Sequence, residues 1–237
     1  MTRAAAVALG LGGAALLHVG PGVTWIPAVR RLLPALSGRG APGHVALTFD
    51  DGPDPRTTPL FLDALDRLGC RATFFMLGEM LELHPGTGRR VAEAGHEVAV
   101  HGWRHDYTLR TPPGRVSAEM ARTARLVRAV TGARPAWYRP PYGVLSAEAL
   151  VAARWNGLRP VLWTAWGKDW TPRATPESVL ATLAPGLRGG ATLLLHDTDH
   201  TSAPGSWRAA LGALGQLVDH CRSAGLRVGP LAEHGIG

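Results

Sequence analysis

In the stretch HVALTFDDGPDP two adjacent carboxylates, Asp50 and Asp51, end an apolar run and are followed at once by Gly52 and Pro53. Like-charged neighbours repel, so folding alone gives no reason to place both at a strand end. A solvated acidic turn accounts for the tripeptide taken by itself. The stretch HGWRH puts His101 and His105 four residues apart. On one side of a helical turn, both imidazoles reach one ion. Two neutral imidazoles and one carboxylate make a three-ligand set for a divalent metal, with a position left open for water. Three more stretches carry polar groups with chemical uses: Arg139 before the rigid Pro140–Pro141 pair in YRPPYG, Asp169 and Trp170 in GKDW, and His196 in LLLHD. Each is, alone, as well explained by a surface turn or a strand exit.

The elements that must position these groups alternate along the chain. Strand-like runs fall at 45–49, 72–77, 97–101, 136–139, 160–164, 192–196 and 226–228. Between them lie helix-like segments such as VSAEMARTARLVRAVTG and WRAALGALGQLVDHCRSAG, several opening on Ser, Thr or Pro and closing on Gly,. Alternation of this kind predicts parallel β/α units, closed into an incomplete barrel or opened into a doubly wound sheet. No glycine-rich phosphate loop follows the first strand, which disfavours nucleotide binding. Asp50, Asp51, His101, Arg139, Asp169 and His196 all fall at or just beyond the C-terminal ends of different strands. In a parallel β/α barrel those ends converge on the face where active sites are built, whereas unrelated turns would scatter over both faces.

Composition sets the remaining bounds. A chain of 237 residues, 46% hydrophobic, is long enough for one sizeable core,. The formal net charge is +7, yet Lys168 is the single lysine among 25 basic residues and no basic cluster is interleaved with aromatics; nucleic acid is not expected as a partner. Cys70 and Cys221 are too few for a disulfide framework,. Each reads as a small apolar core residue, with a single bridge between them left open. Residues 1–20 form an apolar segment, uncharged from 4 to 20 apart from His18, which predicts a signal anchor or export signal,. Residues 21–43, rich in Pro, Gly and Arg, read as a linker into a catalytic domain over 44–237.

The stretches TFDDG, HGWRH, RPPYG, DW and LLH occur in this order between residues 42 and 228. Together they resemble the polysaccharide deacetylase family, the NodB-homology esterases of carbohydrate esterase family 4. The resemblance implies an α/β fold, a distorted, incomplete (β/α) barrel. It implies hydrolysis of N-acetyl groups from peptidoglycan- or chitin-like amino-sugar polymers or oligomers, with a divalent metal, Zn2+ foremost and Co2+ or Ni2+ in some members. By position, Asp51, His101 and His105 would hold the metal and Asp50 would act as general base, oriented by Arg139. His196 would protonate the leaving amine, held by Asp169. The backbone N–H of Tyr142 would meet the oxyanion, and Trp170 and Leu194 would wall the acetyl pocket. Two departures stand out. Gly102 replaces a Ser or Thr whose hydroxyl could brace the metal loop, and Trp166 occupies the first acidic position of the family's D-x-x-D-W pattern. O-acetyl esterase activity on a xylan-like polysaccharide is the alternative reaction; a non-catalytic carbohydrate-binding protein is a third, opposed by the complete set of reacting groups. The expected partner is an N-acetylated glycan in the extracytoplasmic envelope, reached by a protein either secreted or anchored in the membrane through residues 4–20. No oligomeric state follows from the residues.

Overall fold

The computed structural model describes residues 16–237, so most of the apolar segment expected over 1–20 lies outside the described residues. Eight parallel strands form the sheet: β1 (His44–Asp50), β2 (Thr73–Met76), β3 (Glu97–Val100), β4 (Trp137–Tyr138), β5 (Arg159–Pro160), β6 (Ala165–Trp166), β7 (Thr192–His196) and β8 (Arg227–Gly229). Their order is β5-β4-β3-β2-β1-β7-β6, with β8 paired to β1. Helices α1 (Pro27–Arg31), α2 (Thr58–Arg67), α3 (Gly78–Leu83), α4 (Pro85–Glu93), α5 (Arg115–Thr131), α6 (Ala147–Trp155), α7 (Pro176–Leu183) and α8 (Trp207–Ser223) accompany it, with four short 3-10 helices among the described residues. None of the described helices is long and apolar enough to cross a membrane.

Chain length forces the sheet to curl. β5 pairs only with β4 at one edge, and β6 pairs with β7 at the other. Seven flat strands spaced about 4.8 Å apart would separate those edges by about 29 Å. The five Cα steps from Pro160 to Ala165 span about 18 Å at most, so the two edges must approach each other. The result is the incomplete barrel expected from the sequence.

The same crossing corrects one expected strand. Residues 160–164 are not one strand: β5 stops at Pro160 and β6 starts at Ala165. Within the crossing, Val161 N–H donates to Tyr138 O, Leu162 N–H to Leu36 O and Thr164 N–H to Thr192 O. The backbone is satisfied by three different segments rather than by one ladder, and hydrophobic content alone does not reveal that.

Strand alternation sorts β1 into two faces. Val45, Leu47 and Phe49 pack with Phe61, Leu65 and Leu217 in the core between sheet and helices. Ala46 faces the barrel interior with Phe75, Ala99 and Val161. By the same period Asp50 points inward, at the C-terminal rim. Residues 20–41 lie against the barrel: Trp25 Nε1–H donates to Tyr142 O, Thr192 Oγ1–H to Gly38 O and Ala41 N–H to His234 O. Cys70 and Cys221 are both buried free thiols, so no bridge joins them.

Candidate metal and acid–base site

β1 delivers Asp50 and Asp51, and the following Gly52–Pro53 peptide is cis. Asp51 is one of three non-glycine residues among those described with positive φ, at 79°; the others are Tyr142 (58°) and Lys168 (51°). All three follow closely on strand ends, after β1, β4 and β6 respectively. Backbone held in this sparsely populated region is characteristic of functional sites.

His101 follows β3 directly. His101 and His105 do not share a helical turn: residues 103–105 form a bend that follows Gly102, φ 93°. The two rings still converge, with centroids 5.3 Å apart. A side chain at Gly102 would be strained at that φ, and the brace expected from a hydroxyl there comes from α5, where Thr123 Oγ1–H donates to Gly102 O at 3.1 Å.

One ligand atom each from Asp51, His101 and His105 lies within 4.8 Å of the others. Asp51 Oδ1 is 3.3 Å from His101 Nε2 and 3.6 Å from His105 Nε2. Donors bound tetrahedrally at about 2.0–2.1 Å are spaced about 3.3 Å apart. His101 Nδ1 lies 2.8 Å from Arg139 O; a carbonyl only accepts, so Nδ1 carries the hydrogen and Nε2 keeps its lone pair free. Asp51 Oδ1 is buried with no hydrogen-bond partner. Buried polar atoms are almost always paired, and this orphan aims at the two imidazoles. The three residues fit a divalent cation.

Electrostatics separates the neighbouring groups into pairs. Asp50 Oδ1 accepts from Arg139 NH1 at 2.7 Å, and Arg139 is completely buried. The same guanidinium donates to Thr48 Oγ1 and Leu162 O and lies 4.0 Å over the Phe75 ring. His196 Nδ1 donates to Asp169 Oδ1 at 3.0 Å, while its backbone N–H donates to Asp169 Oδ2. Burial disfavours the charged imidazolium of His196, but Asp169, then Asp51 and Asp50, outweigh it and raise the ring to about 10. Burial works against ionised Asp51 as well, yet the neighbouring His101, His105 and His196 rings hold it well below the usual carboxylate range. His105 is pushed down to about 4, chiefly by burial.

A cleft of about 840 Å3 opens over these groups and is lined by Asp50, His101, His105, Tyr142, Trp170, Leu194 and His196. The sequence-predicted residues are thus brought together, with Arg139 and Asp169 beneath them. Sequence reasoning missed two neighbours. Thr201 Oγ1–H donates to Asp51 Oδ2, leaving Oδ1 as the free oxygen. Asp197 is buried next to His196, and burial raises its carboxyl to about 7. It accepts from Thr58 Oγ1–H, and a Cβ on Gly52 would lie 2.6 Å from its Oδ2, so the Asp50–Asp51 turn packs directly on the end of β7. The position of Asp197 beside a strand-end His was the available signal; Thr201 had none.

A sequence model described as polysaccharide deacetylase matches residues 37–161. The chain is also 34% identical over 217 residues to a chitooligosaccharide deacetylase of Bradyrhizobium sp. (strain ANU 289), covering 87% of this chain and 95% of that protein. The chain belongs to the polysaccharide deacetylase family. It is 36% identical over 160 residues to the peptidoglycan-N-acetylglucosamine deacetylase PgdA of Listeria monocytogenes (strain 10403S). That match takes in 68% of this chain and spans about a third, 34%, of that longer protein. Among solved structures, the peptidoglycan N-acetylglucosamine deacetylase Bc1960, in complex with 4-naphthalen-1-yl-N-oxidanyl-benzamide, superposes with a TM-score of 0.78 at 27% identity, covering 89% of this chain and 97% of that one. The fold is shared as well by BA3943, a Bacillus anthracis pseudoenzyme of carbohydrate esterase family 4, with a TM-score of 0.73 at 23% identity over 81% of this chain and 65% of that one. Membership in the polysaccharide deacetylase family therefore does not by itself decide turnover.

Proposed function

We propose that this polysaccharide deacetylase family member is a metal-dependent N-deacetylase of amino-sugar polymers or oligomers, chitin- or peptidoglycan-like. The observation that carries the reading is geometric: Asp50, paired with Arg139, and His196, paired with Asp169, both stand beside the Asp51–His101–His105 cluster. A non-catalytic binding protein has no use for both. The relatives' substrates supply the class of glycan.

Asp51, His101 and His105 would hold the cation, with zinc the first choice for one carboxylate and two imidazoles and cobalt or nickel as substitutes. When bound there it would polarise the acetamide carbonyl and make a nearby water more acidic. Asp50, held in place by Arg139, takes a proton from the water that attacks the carbonyl carbon. The Tyr142 N–H donates to the developing oxyanion. The Nε2–H of His196 passes to the departing nitrogen as the C–N bond breaks, while Asp169 holds the ring through Nδ1. Trp170 and Leu194 enclose the methyl group. Acetamide and water become acetate and a free amine.

Residues 44–237 are the catalytic domain in this reading, entered through 21–43. The apolar segment 1–20 serves as an anchor or export signal, which places the protein in the extracytoplasmic envelope. The test is acetate release from N-acetylated chitooligosaccharides and peptidoglycan by metal-loaded protein, with O-acetylated xylan assayed alongside. Asp50→Asn should abolish turnover and keep metal binding; a variant with near-normal rates overturns the role of Asp50, and an inert metal-loaded parent overturns the function.

A further inference from the structure

The cleft has two chemically different parts. Its ionisable groups, Asp50, His101, His105 and His196, all belong to the site described above. The rest of the lining is aromatic, aliphatic, Pro or Gly apart from Thr201 and Ser202, and it includes a wall from the segment before β1: Val19, Gly22, Val23, Trp25 and Ile26. This wall is built against the reacting end, since Trp25 Nε1–H donates to Tyr142 O at 3.1 Å. Trp166 and Trp170, whose ring centroids are 4.9 Å apart, offer faces on which a sugar ring can stack. Val19, Val23 and Ile26 offer neither a ring face nor a hydrogen bond to a hydroxyl. Apart from Trp25, the wall is aliphatic and matches a hydrocarbon better than a second saccharide.

The wall also reaches the surface. Val23 is 50% and Ile26 51% exposed, and Leu16, Leu17, Leu32 and Leu33 of the same segment are exposed as well. Exposed apolar surface concentrated in one segment marks an interaction site. Its surroundings suit an amphiphile: no acidic residue precedes Asp50, Arg30 and Arg31 lie within the segment, and residues 4–17 upstream carry no charge.

We infer that the substrate is an N-acetylated amino sugar carrying a hydrocarbon chain, its sugar over Asp50 and His196 and its chain along Val19, Val23 and Ile26. This rests on the deacetylase reading and narrows it to a glycolipid met at a lipid surface. The test uses the full chain loaded with zinc and the methyl, octyl and dodecyl glycosides of N-acetylglucosamine, each below its micelle concentration. Acetate release should rise with chain length, kcat/KM gaining at least about tenfold from methyl to dodecyl through KM. Val23→Asp and, separately, Ile26→Asp should each bring the dodecyl-to-methyl ratio down to about one. Equal kcat/KM for the methyl and dodecyl glycosides, or a ratio that survives both substitutions, overturns the inference. If no glycoside releases acetate, chitooligosaccharides assayed alongside decide the deacetylase reading, which fails if they too are inert, and binding of the glycosides followed by tryptophan fluorescence decides the inference. Dodecyl glycoside held at least about tenfold tighter than methyl, and no longer so in the variants, supports the hydrocarbon subsite; equal binding overturns it.

Discussion

Removing the charge of Asp50 should cost stability as well as turnover, because Arg139 has no other counter-ion among the described residues. The guanidinium is completely buried and Asp50 is 3% exposed, with NH1 2.7 Å from Oδ1. Charge centres about 4 Å apart attract by about 4 kcal/mol at an effective dielectric near 20. Breaking such a pair from one side typically costs about 3–5 kcal/mol, since the remaining charge is buried without compensation. Asp50→Asn should therefore lower the melting temperature of metal-free protein by about 6–20 °C, at about 2–4 °C per kcal/mol for a chain of this size. Arg139→Met should cost at least as much: it also strips the donors from Thr48 Oγ1 and Leu162 O and removes the cation over Phe75. The double variant should be far less damaged than the sum of the two, by about 2–3 kcal/mol of coupling. Thermal and urea unfolding in chelator, for all four proteins of the cycle, measure this directly. If Asp50→Asn melts within about 2 °C of the parent, or the singles add to the double within about 0.5 kcal/mol, the buried ion pair is not what holds Asp50 in place.

Two further outcomes follow from groups around the site and at the opposite end of β1. Thr201→Val removes the donor to Asp51 Oδ2 and should weaken zinc binding by about tenfold or more, measured by competition with a chromophoric chelator; an unchanged affinity would leave Thr201 as a mere loop contact. His44 and His234 share a buried Nδ1···Nδ1 hydrogen bond of 2.8 Å, and burial followed by His44 pushes His234 down to about 4. A base depressed by folding contributes its stability in full above the ordinary value near 6.5 and loses it as the pH falls towards 4, here roughly 3 kcal/mol. His234→Gln should flatten the fall in unfolding midpoint between pH 7 and 4.5, and parallel curves for parent and variant would refute the assignment.

The ends of the strands were legible because chemistry and topology point the same way there. Asp50, His101, Arg139 and His196 each close an apolar run or stand beside one, and parallel β/α order gathers such ends on one rim. The bend at 103–105 was not legible, since a four-residue His spacing reads as helix unless the positive φ of Gly102 is known. The boundary between β5 and β6 was hidden for a related reason: Val161, Leu162 and Thr164 are as buried or as apolar as strand residues, but their N–H groups go to Tyr138, Leu36 and Thr192 in turn. The part played by residues 19–26 was hidden as well. A Pro- and Gly-rich stretch reads as a linker, and only tertiary contacts reveal that Val19, Val23 and Ile26 line the cleft.

Charge matching explains why a cation belongs where these loops meet. Asp50 is matched by Arg139, and Asp169 by His196, each through a contact of 3.0 Å or less. Asp51 is left with full burial, a hydroxyl from Thr201 on one oxygen, and nothing on the other. Its nearest neighbours there are two rings, one of them fixed by Arg139 O in the tautomer whose free lone pair faces Asp51. Were Asp51 a structural carboxylate, the cheapest arrangement would give Oδ1 an N–H donor, as the backbone of His196 does for Asp169. The protein spends a left-handed backbone conformation at Asp51 to present that oxygen bare,. A bare buried carboxylate oxygen facing an imidazole lone pair is stable only with a positive charge between them, and a divalent ion supplies it with the donor spacing already in place.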